Sequence, residues 1–444
     1  MYQYNRYIGD YYRSGNNRSS REHLSEYVTW GHSPGGIAPG SSAGSSSFNF
    51  SGVYILNGGS AVETDAKYTS TTQDMSGIYV TNGGNLTLEN PSIVTSGDTS
   101  SGEASSFYGL NGAVLANDGS TVKITGGSIT TTGSGANGAI PTGSGTSISL
   151  TDVTIGASGD GGHGVMATNG AVLALTNVTI STTGAHGAPI ATDRGSGIVT
   201  VNGGTVTCSG TDSPGIYSTG QITVNNARIT ATGAESAVIE GFNAISLKDT
   251  IISGGVSKKG GVMIYQSFSG DASTGTGTFA MNGGSLTVPA GPVFFVTNTD
   301  AAVILNGTDL TGSSGTLISA AGTTRWGTTG KNGGIVTFTA DNEKLSGNLT
   351  TDSISSISAE LRNGTTLTGA INTAALTLDA TSSWKVTGDS ILTSLSDTSG
   401  ISGTTITNIY CDGHTVTYDK TLAANTALGG KTFTLGNGGV LVPR

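Results

Sequence analysis

Apolar and polar residues alternate in short runs that recur along most of the chain. Between residues 76 and 312 one phrase occurs nine times: an apolar residue, any residue, a second apolar residue, and a further apolar residue five places after the second. Leu86, Leu88 and Ile93 form one copy, and Val199, Val201 and Val206 another. Alternation with a period of two puts both members of a pair on one face of a strand. Each phrase therefore predicts two short strands.

The spacing of the phrases predicts that they stack. The second apolar residue stands at positions 88, 124, 150, 175, 201, 224, 247, 281 and 305, so the interval between copies varies from 23 to 36 residues. The offset of five to the closing apolar residue stays constant in every copy. A fixed offset with variable intervals is typical of stacked coils whose strands keep register while their loops accept insertions.

A third strand and the turn residues complete the repeat. Gly and Asn, which tolerate positive φ, separate the strands, as at Gly126, Gly127 and Asn177. Another short apolar segment lies between phrases, at 78–80, 165–166, 216–217, 262–264 and 293–296. Three strands in about 25 residues predict one triangular coil. The predicted fold class is therefore all-β, a parallel β-helix with three strands per coil.

Changes in the sequence pattern of the repeat divide the chain into four parts. Residues 48–330 carry coils of about 25 residues, and residues 331–400 carry shorter ones, with marker residues Leu345, Leu367 and Val386 at intervals of 22 and 19. Residues 401–444 are predicted to be capping strands, because an uncovered last coil would expose unpaired strand edges. Roughly twelve coils with capped ends are expected.

Residues 1–47 differ from everything that follows. They hold six of the 14 tyrosines, and a Gly/Ser-rich linker at 35–47 joins them to the repeats. Two roles are open: a cap over the first coil, or an arm that docks on a partner or on a second copy of the chain. The candidate docking residues are Tyr4, Tyr7, Tyr11, Tyr12 and Trp30.

Composition narrows the classes of partner and cofactor. The 72 Gly and the 35% hydrophobic share would suit a disordered chain, but the regular placement of the apolar residues argues for a fold. The net charge of −10 argues against nucleic acid as a partner. Cys208 and Cys411 lie far apart without metal-ligand spacing, so two buried free thiols and no cofactor are expected.

Targeting signals are not evident in the sequence. No run of 18 apolar residues exists, which predicts no transmembrane helix, and the N-terminus lacks the basic and apolar regions of a secretory signal peptide. The last four residues, 441–444, have the sequence that a thrombin cut leaves behind, and they equally fit a natural ending.

The C-terminal sequence resembles that of a known protein family. The segments 363–371 and 381–390, with Asn363-Gly364-Thr365-Thr366-Leu367 and Trp384-Lys385-Val386, resemble the ends of bacterial surface proteins of the pectate-lyase-like superfamily, autotransporter passenger domains among them. The resemblance spans residues 50–444 and implies a right-handed parallel β-helix. It also implies a non-catalytic structural or adhesive role outside the cell or on its surface. The membrane barrel that follows an autotransporter passenger is not present in this sequence.

Many relatives of that superfamily are polysaccharide lyases or glycoside hydrolases, so an enzyme is the first alternative. Hydrolysis requires carboxylates held together across the cleaved bond. His163, Arg228 and Asp300 stand in short motifs that resemble those of polygalacturonases, but in the wrong order. His163 and Asp300 are separated by about five coils, or about 24 Å. Asp98 and Asp160 are isolated carboxylates in glycine-rich turns. We expect no catalysis, with His163 at a strand start and Arg228 in a solvated turn.

Two binding roles remain as further alternatives. Hydroxyl rows at 130–132 and 181–183 suggest an ice- or crystal-binding rod, although threonine is also a good strand former. A rod like a phage tail spike is a separate alternative for the same solenoid. Aromatic residues in or beside the long insertions suggest contacts with carbohydrate or with another surface. The candidates are Phe107, Tyr108, Tyr265, Phe268 and Trp326. Self-association through coil ends is a third route to a partner.

Overall fold

The computed structural model describes residues 48–444, which form 44 strands, one α-helix and one 3-10 helix. Strands before the α-helix are β1 (Ser51–Asn57), β2 (Ser60–Thr64), β3 (Lys67–Ser70), β4 (Met75–Thr81), β5 (Asn85–Glu89) and β6 (Ser92–Thr95). The helix α1 spans Gly102–Tyr108. A first group after it comprises β7 (Val114–Ala116), β8 (Thr121–Thr125), β9 (Ser128–Thr131), β10 (Ala139–Pro141), β11 (Ser147–Thr151), β12 (Thr154–Ala157), β13 (Val165–Thr168), β14 (Val172–Thr176), β15 (Thr179–Thr182), β16 (Ile190–Asp193), β17 (Ile198–Asn202) and β18 (Thr205–Cys208).

The middle of the chain continues in the same way. It comprises β19 (Ile216–Ser218), β20 (Gln221–Asn225), β21 (Arg228–Ala231), β22 (Ala237–Glu240), β23 (Ala244–Lys248), β24 (Ile251–Ser253), β25 (Val262–Tyr265), β26 (Gly277–Asn282), β27 (Ser285–Val288), β28 (Phe294–Thr297), β29 (Thr299–Asn306), β30 (Asp309–Gly312), β31 (Thr316–Ala320), β32 (Gly334–Asp341) and β33 (Lys344–Ser346).

The last strands include the shorter coils and the C-terminal region. They are β34 (Asn348–Thr351), β35 (Ser356–Arg362), β36 (Thr366–Thr368), β37 (Ile371–Leu378), β38 (Ser383–Lys385), β39 (Ser390–Ser396), β40 (Ile401–Ser402), β41 (Thr405–Tyr410), β42 (Thr415–Tyr418), β43 (Phe433–Gly436) and β44 (Val440–Pro443). The 3-10 helix, Ala423–Leu428, lies between β42 and β43.

Parallel pairing between successive repeats builds a β-solenoid of about 16 turns, with 52% strand and 3% helix. The predicted marker residues pair in the expected register: Leu88 with Ile124, Leu175 with Val201, and Met281 with Leu305. All nine of these markers are at most 3% exposed. The parallel β-helix and the repeat predicted from the alternation are therefore confirmed.

The predicted number of coils was too low. A continuous series of parallel pairings, which we call the first ladder, links 16 strands: β1, β4, β7, β10, β13, β16, β19, β22, β25, β28, β31, β34, β37, β39, β42 and β44. The estimate of roughly twelve omitted the turn that begins with β1. It also omitted the C-terminal turns, in which β42 pairs in parallel with β39 and β44 with β42.

Register in the short coils differs at one predicted marker. Leu345 pairs with Leu367 as expected, but Trp384, not Val386, lies opposite Leu367. Trp384 is fully buried and its indole N–H donates to the carbonyl of Gly369 at 2.9 Å. The large ring fills the inward position of a short coil, which shifts the marker by two residues.

A separate ten-stranded sheet contains the closing residues of the phrases. Its strands, in order of pairing, are β3, β6, β9, β12, β15, β18, β21, β24, β27 and β30. Inward residues such as Ile129, Ile180 and Val206 are fully buried, while their neighbours Thr130, Ser181 and Thr207 are exposed. The turns follow the predicted chemistry, with φ of 78° at Gly127 and 53° at Asn177.

The C-terminal region combines parallel and antiparallel pairing. β40 pairs with β41 and β43 with β44 in antiparallel fashion, whereas the pairings between the repeats before residue 400 are parallel. Both cysteines, Cys208 and Cys411, are buried free thiols, as predicted, and burial raises the pKa of the Cys208 thiol to about 12.

Candidate functional site

The outward side of the first ladder carries a row of apolar side chains that are buried. Alternation points these residues away from the solenoid core, yet Leu115, Ile140, Met166, Ala191 and Val238 are fully buried. They form a second apolar cluster, distinct from the main core, together with Ala188, Tyr217, Met263, Tyr265 and the partly buried Phe50, Tyr79, Phe295 and Trp326. We call this surface, from β4 to β28, the outer face.

A polar row runs beside the apolar row and receives the helix α1. The carbonyl oxygen of Phe107 accepts from the Thr168 hydroxyl at 2.9 Å, from Asn169 Nδ2 at 2.8 Å and from the Thr142 hydroxyl at 3.4 Å. The helix begins at the N-cap Ser101, whose hydroxyl accepts from the Ala104 N–H at 3.1 Å. The helix α1, which is an insertion in one coil, is thereby attached to two later coils.

The end of α1 depends on a glycine that lets it approach the sheet. Gly109 is the C-cap, with φ of 80°, and a Cβ built there would lie 2.5 Å from Leu115 Cδ1. Only glycine combines the left-handed conformation with this close approach. The helix therefore packs directly on the apolar row.

Arg194 connects α1 to the insertion that follows β25, residues 266–276. Its guanidinium lies 3.7 Å from the centroid of the Phe107 ring. Arg194 Nη2 lies 2.9 Å from Asp271 Oδ1, and Nη1 lies 4.0 Å from Glu103 Oε1. The Asp271 side chain is almost fully buried, at 1% exposure. Arg194 thus holds α1 to an insertion whose Asp271 lies 77 residues after it in the sequence.

Glu240, at the end of β22, accepts hydrogen bonds from the hydroxyl groups of four side chains. Tyr217 and Tyr265 donate to Oε2 at 2.8 and 2.9 Å, and Ser269 donates to Oε1 at 3.2 Å; the Ser267 hydroxyl also donates to Oε1. Glu240 is 2% exposed. Burial, and then the charge of Glu240, raise the pKa of both tyrosines well above the ordinary value, so both keep the protons that they donate.

The insertion after β25 presents exposed aromatic side chains next to this network. Phe268 is 69% exposed and Phe242, which precedes the insertion in sequence, is 64% exposed. The Phe242 N–H donates to the carbonyl of Ser273 at 2.8 Å, which ties Phe242 to the insertion. The hydroxyls of Ser267 and Ser269 anchor the other side of Phe268 to Glu240.

Aromatic packing continues towards the later coils. The rings of Tyr265 and Trp326 lie 4.9 Å apart, and the guanidinium of Arg325 lies 4.3 Å from the Trp326 ring centroid. At the other end Phe48 lies 6.0 Å from Tyr108. The aromatic side chains therefore extend from the first coils to the coil that carries Trp326.

A second charged cluster lies in the loops that lead into the first ladder. Lys259 Nζ is 2.7 Å from Asp212 Oδ1 and 3.5 Å from Glu235 Oε1. Burial raises the pKa of Glu235, and Lys259 partly offsets that rise. The cluster thus pairs a cation with carboxylates on two neighbouring coils.

The structure places two of the five predicted contact residues, Tyr265 and Trp326, in the cluster of the outer face, buries Phe107 in α1, and leaves Phe268 exposed. Phe107 and Tyr265 are each 2% exposed and Trp326 is partly buried, so these rings pack within the chain. Tyr108 is partly buried beside Phe48, whereas Phe268 is open to solvent. The candidate docking residues Tyr4, Tyr7, Tyr11, Tyr12 and Trp30 lie outside the described residues.

The residues of the enzyme alternative lie in separate environments. The backbone N–H of His163, which is two residues before β13, donates to Asn137 Oδ1 at 2.9 Å, and the Nδ1 atom of the buried His163 ring lies 3.1 Å from that oxygen. Asp300 is exposed on β29. Arg228 is the exposed first residue of β21, so the predicted turn position was wrong. Asp98 and Asp160 each accept a backbone N–H from a later coil, of Ser134 at 2.8 Å and of Ala185 at 2.9 Å.

The sequence did not single out Glu240, Arg194, Tyr217 or Asp271. A usable signal was present: in 237–239 and 262–265 apolar residues occupy consecutive positions, which indicates a strand buried on both faces. Between residues 48 and 444, no group of three or more His, Cys, Asp or Glu is placed to hold a metal ion. No helix in that part of the chain is long and apolar enough to cross a membrane.

Comparison of the chain with protein-family models, with curated proteins and with solved structures gives no match. The outer face, with its buried carboxylates and exposed aromatic rings, is therefore the candidate functional surface.

Proposed function

We propose that this chain is a non-catalytic adhesive rod of a cell-surface or extracellular protein, and that it binds carbohydrate through the insertion after β25. The observation that carries the proposal is the exposure of Phe268, at 69%, and of Phe242, at 64%, on backbone that hydrogen bonds hold to the outer face. Exposed aromatic rings on anchored loops favour binding, because they offer apolar area at a low entropic cost.

Engagement of the nearby carboxylates supports a non-catalytic role. Glu240 accepts hydrogen bonds from four hydroxyl groups of its own chain. Asp271 Oδ1 accepts a hydrogen bond from the Arg194 guanidinium. Hydrolysis of a glycosidic bond requires two carboxyl groups directed at the substrate. These two are directed at side chains of the protein.

The finer description of the fold belongs to the same proposal. We infer a right-handed winding with three strands per coil, as in autotransporter passengers and other bacterial surface proteins of the pectate-lyase-like superfamily. Parallel pairing of β4 with β7 and of β5 with β8 supports three strands per coil, and the usual right-handed crossover of parallel strands supports the winding.

Binding to an immobilised panel of polysaccharides tests the proposal. We expect the full chain to bind one class of glycan, and we expect Phe268→Ala to weaken that binding by about tenfold or more. Ile335→Ala removes a side chain that is 53% exposed on β32 and serves as the matched control. Binding that both variants retain equally would contradict the proposed site.

The same panel tests the non-catalytic part of the proposal. Pectins, alginates and other acidic polysaccharides are incubated with the chain, with and without Ca²⁺, and release of new chain ends is measured. We expect no turnover. Turnover that Asp271→Asn or Glu240→Gln abolishes would establish the lyase or hydrolase alternative instead.

A further inference from the structure

Three charged side chains meet where three successive coils enter the first ladder. Asp212 lies in the loop before β19, Glu235 in the loop before β22 and Lys259 in the loop before β25. These three strands pair in succession, so Glu235 belongs to the middle coil. Lys259 Nζ lies 2.7 Å from Asp212 Oδ1 and 3.5 Å from Glu235 Oε1. The lysine thus reaches across the middle coil to the aspartate of the coil beyond it.

Backbone hydrogen bonds hold the loops that carry these side chains. The Gly215 N–H donates to the carbonyl of Glu235 at 3.1 Å, which ties the coil of the aspartate to the middle coil. Two backbone hydrogen bonds between Val256 and Gly260, of 3.1 and 2.7 Å, close the tight turn that contains Lys259. Groups that the backbone holds in contact react as if at a high local concentration.

Glu235 differs from the other two groups in its burial. Its side chain is 1% exposed, against 21% for Lys259 and 29% for Asp212. Between residues 48 and 444 neither of its carboxyl oxygens has a hydrogen-bond partner, and burial raises its pKa. A carboxyl group in such surroundings takes the protonated form more readily than one in water. It can therefore give a proton to the groups beside it and take one back.

We propose that Lys259 and Asp212 join through an amide bond between their side chains, and that Glu235 assists by proton transfer. Transfer of one proton across the 2.7 Å contact converts the ion pair into a neutral amine and a neutral carboxyl group. Nζ then forms a bond to Asp212 Cγ. The Glu235 carboxyl gives its proton to the departing hydroxyl and takes one from Nζ, the Cγ–O bond breaks, and one water leaves. Glu235 returns to its original state, and neither an oxidant nor another reactant is consumed.

The bond fastens three coils at the base of the insertion after β25. It closes a covalent loop from Asp212 to Lys259 that contains β19 to β24. A covalent loop restricts the unfolded chain and so favours the folded one. The loop ends directly before β25, the strand that leads into the insertion with Phe268. The bond does not rest on carbohydrate binding, and its absence would leave that proposal as it stands.

The mass of the purified full chain tests the proposal. Water favours the charged form of a partly exposed pair, so the reaction is slow and the mass is followed until it no longer changes. We expect the loss of one water molecule and, after proteolysis, one branched peptide that contains both Asp212 and Lys259. Lys259→Arg keeps the positive charge without a reactive amine and should retain the full mass. Lys344→Arg, at an exposed lysine of β33, is the matched control and should lose water like the native chain. A native chain of full mass that yields two separate peptides would overturn the proposal.

Two further variants separate the amide from other causes of a lost water. Asp212→Ala should abolish the loss. A loss that persists in Lys259→Arg would indicate a cyclic imide formed by the aspartate with its own backbone, and it would contradict the proposal. Glu235→Gln keeps the size of the side chain but cannot relay a proton, so it should slow amide formation by about a hundredfold in chains that retain the β-rich circular-dichroism spectrum. An unchanged rate would remove Glu235 from the reaction.

Discussion

The first ladder and the ten-stranded sheet belong to the same solenoid but differ on their outward sides. In β13, β16, β22 and β25 every residue is buried, whereas β15 and β18 alternate between exposed and buried positions. The inward residues of both surfaces, such as Val165 and Ile180, pack in the same core. The inward pattern thus specifies the fold, and the outward pattern distinguishes a covered surface from a solvated one.

The difference also separates the side chains with a chemical role from those that only form strands. On the outer face Arg194 and Glu240 fasten insertions from distant parts of the chain. On the ten-stranded sheet the outward residues are mostly Ser and Thr, which suit a strand exposed to water. The first ladder is therefore the better candidate for a functional surface.

Aspartate substitutions at neighbouring positions give the largest expected effect. On β13 both Val165→Asp and Met166→Asp should lower the free energy of unfolding by about 5 kcal/mol, because each buries an unpaired charge. On β15 only Ile180→Asp should do so, and Ser181→Asp should cost less than about 0.5 kcal/mol. Denaturant titrations of the four variants measure the difference. A harmless Met166→Asp would show that the outer face is solvated like the other sheet.

Removal of the Glu240 carboxylate should produce the next largest effect. Glu240→Ala leaves the buried hydroxyls of Tyr217 and Tyr265 without their acceptor, at an expected cost of about 3–4 kcal/mol. Hydrogen exchange should rise in residues 266–276, which Glu240 anchors through Ser267 and Ser269. Glu89→Ala removes an exposed carboxylate at the end of β5 and is the control. Equal effects of the two variants would exclude a special role for the network.

A second buried carboxylate, Glu343, accepts fewer hydrogen bonds than Glu240, and its pKa shows the consequence. Its Oε1 accepts the Thr308 N–H at 2.8 Å, Oε2 has no hydrogen-bond partner, and burial raises its pKa from 4.5 to about 7. Between these values the folded chain binds more protons than the unfolded chain, so the free energy of unfolding should fall as pH rises from 4.5 to about 7. The expected loss is ~2–3 kcal/mol. Glu343→Gln should remove this part of the slope in urea titrations across that range, and an unchanged slope would assign it to other groups.

The sequence predicted the inward half of the structure better than the outward half. Alternation gave the strands and register from Leu88 to Leu305, because one buried face dictates a period of two. It did not identify Glu240 or Arg194, since their partners Tyr217 and Asp271 meet them only through stacking and through an insertion. Trp384 took the place of the predicted marker Val386 opposite Leu367, because both residues are apolar and buried and the alternation alone does not choose between them. The sequence named Phe107, Tyr265 and Phe268 alike as aromatic candidates, and it did not distinguish the two buried rings from the exposed one.

The smallest expected effect concerns the hydroxyl rows of the ten-stranded sheet. Pairing places Thr130, Gly156, Ser181, Thr207 and Thr230 in one outward row, and Ser128, Thr154, Thr179, Thr205, Arg228 and Ile251 in the next. Gly156 interrupts the first row, and Arg228 and Ile251 end the second. An ordered crystal surface would require an uninterrupted array of hydroxyls.

We therefore expect the full chain to show no gap between its melting and freezing points and no shaping of ice crystals, measured by nanolitre osmometry. Thr207→Ala should change the free energy of unfolding by less than about 0.5 kcal/mol, because an exposed threonine contributes little beyond its strand preference. Thr200→Ala, on the outward side of β17, is the matched control and should behave in the same way. A freezing gap that Thr207→Ala removes and Thr200→Ala leaves intact would reverse the comparison. The ten-stranded sheet would then be a binding surface despite its interruptions, and burial would no longer mark the functional side of the rod.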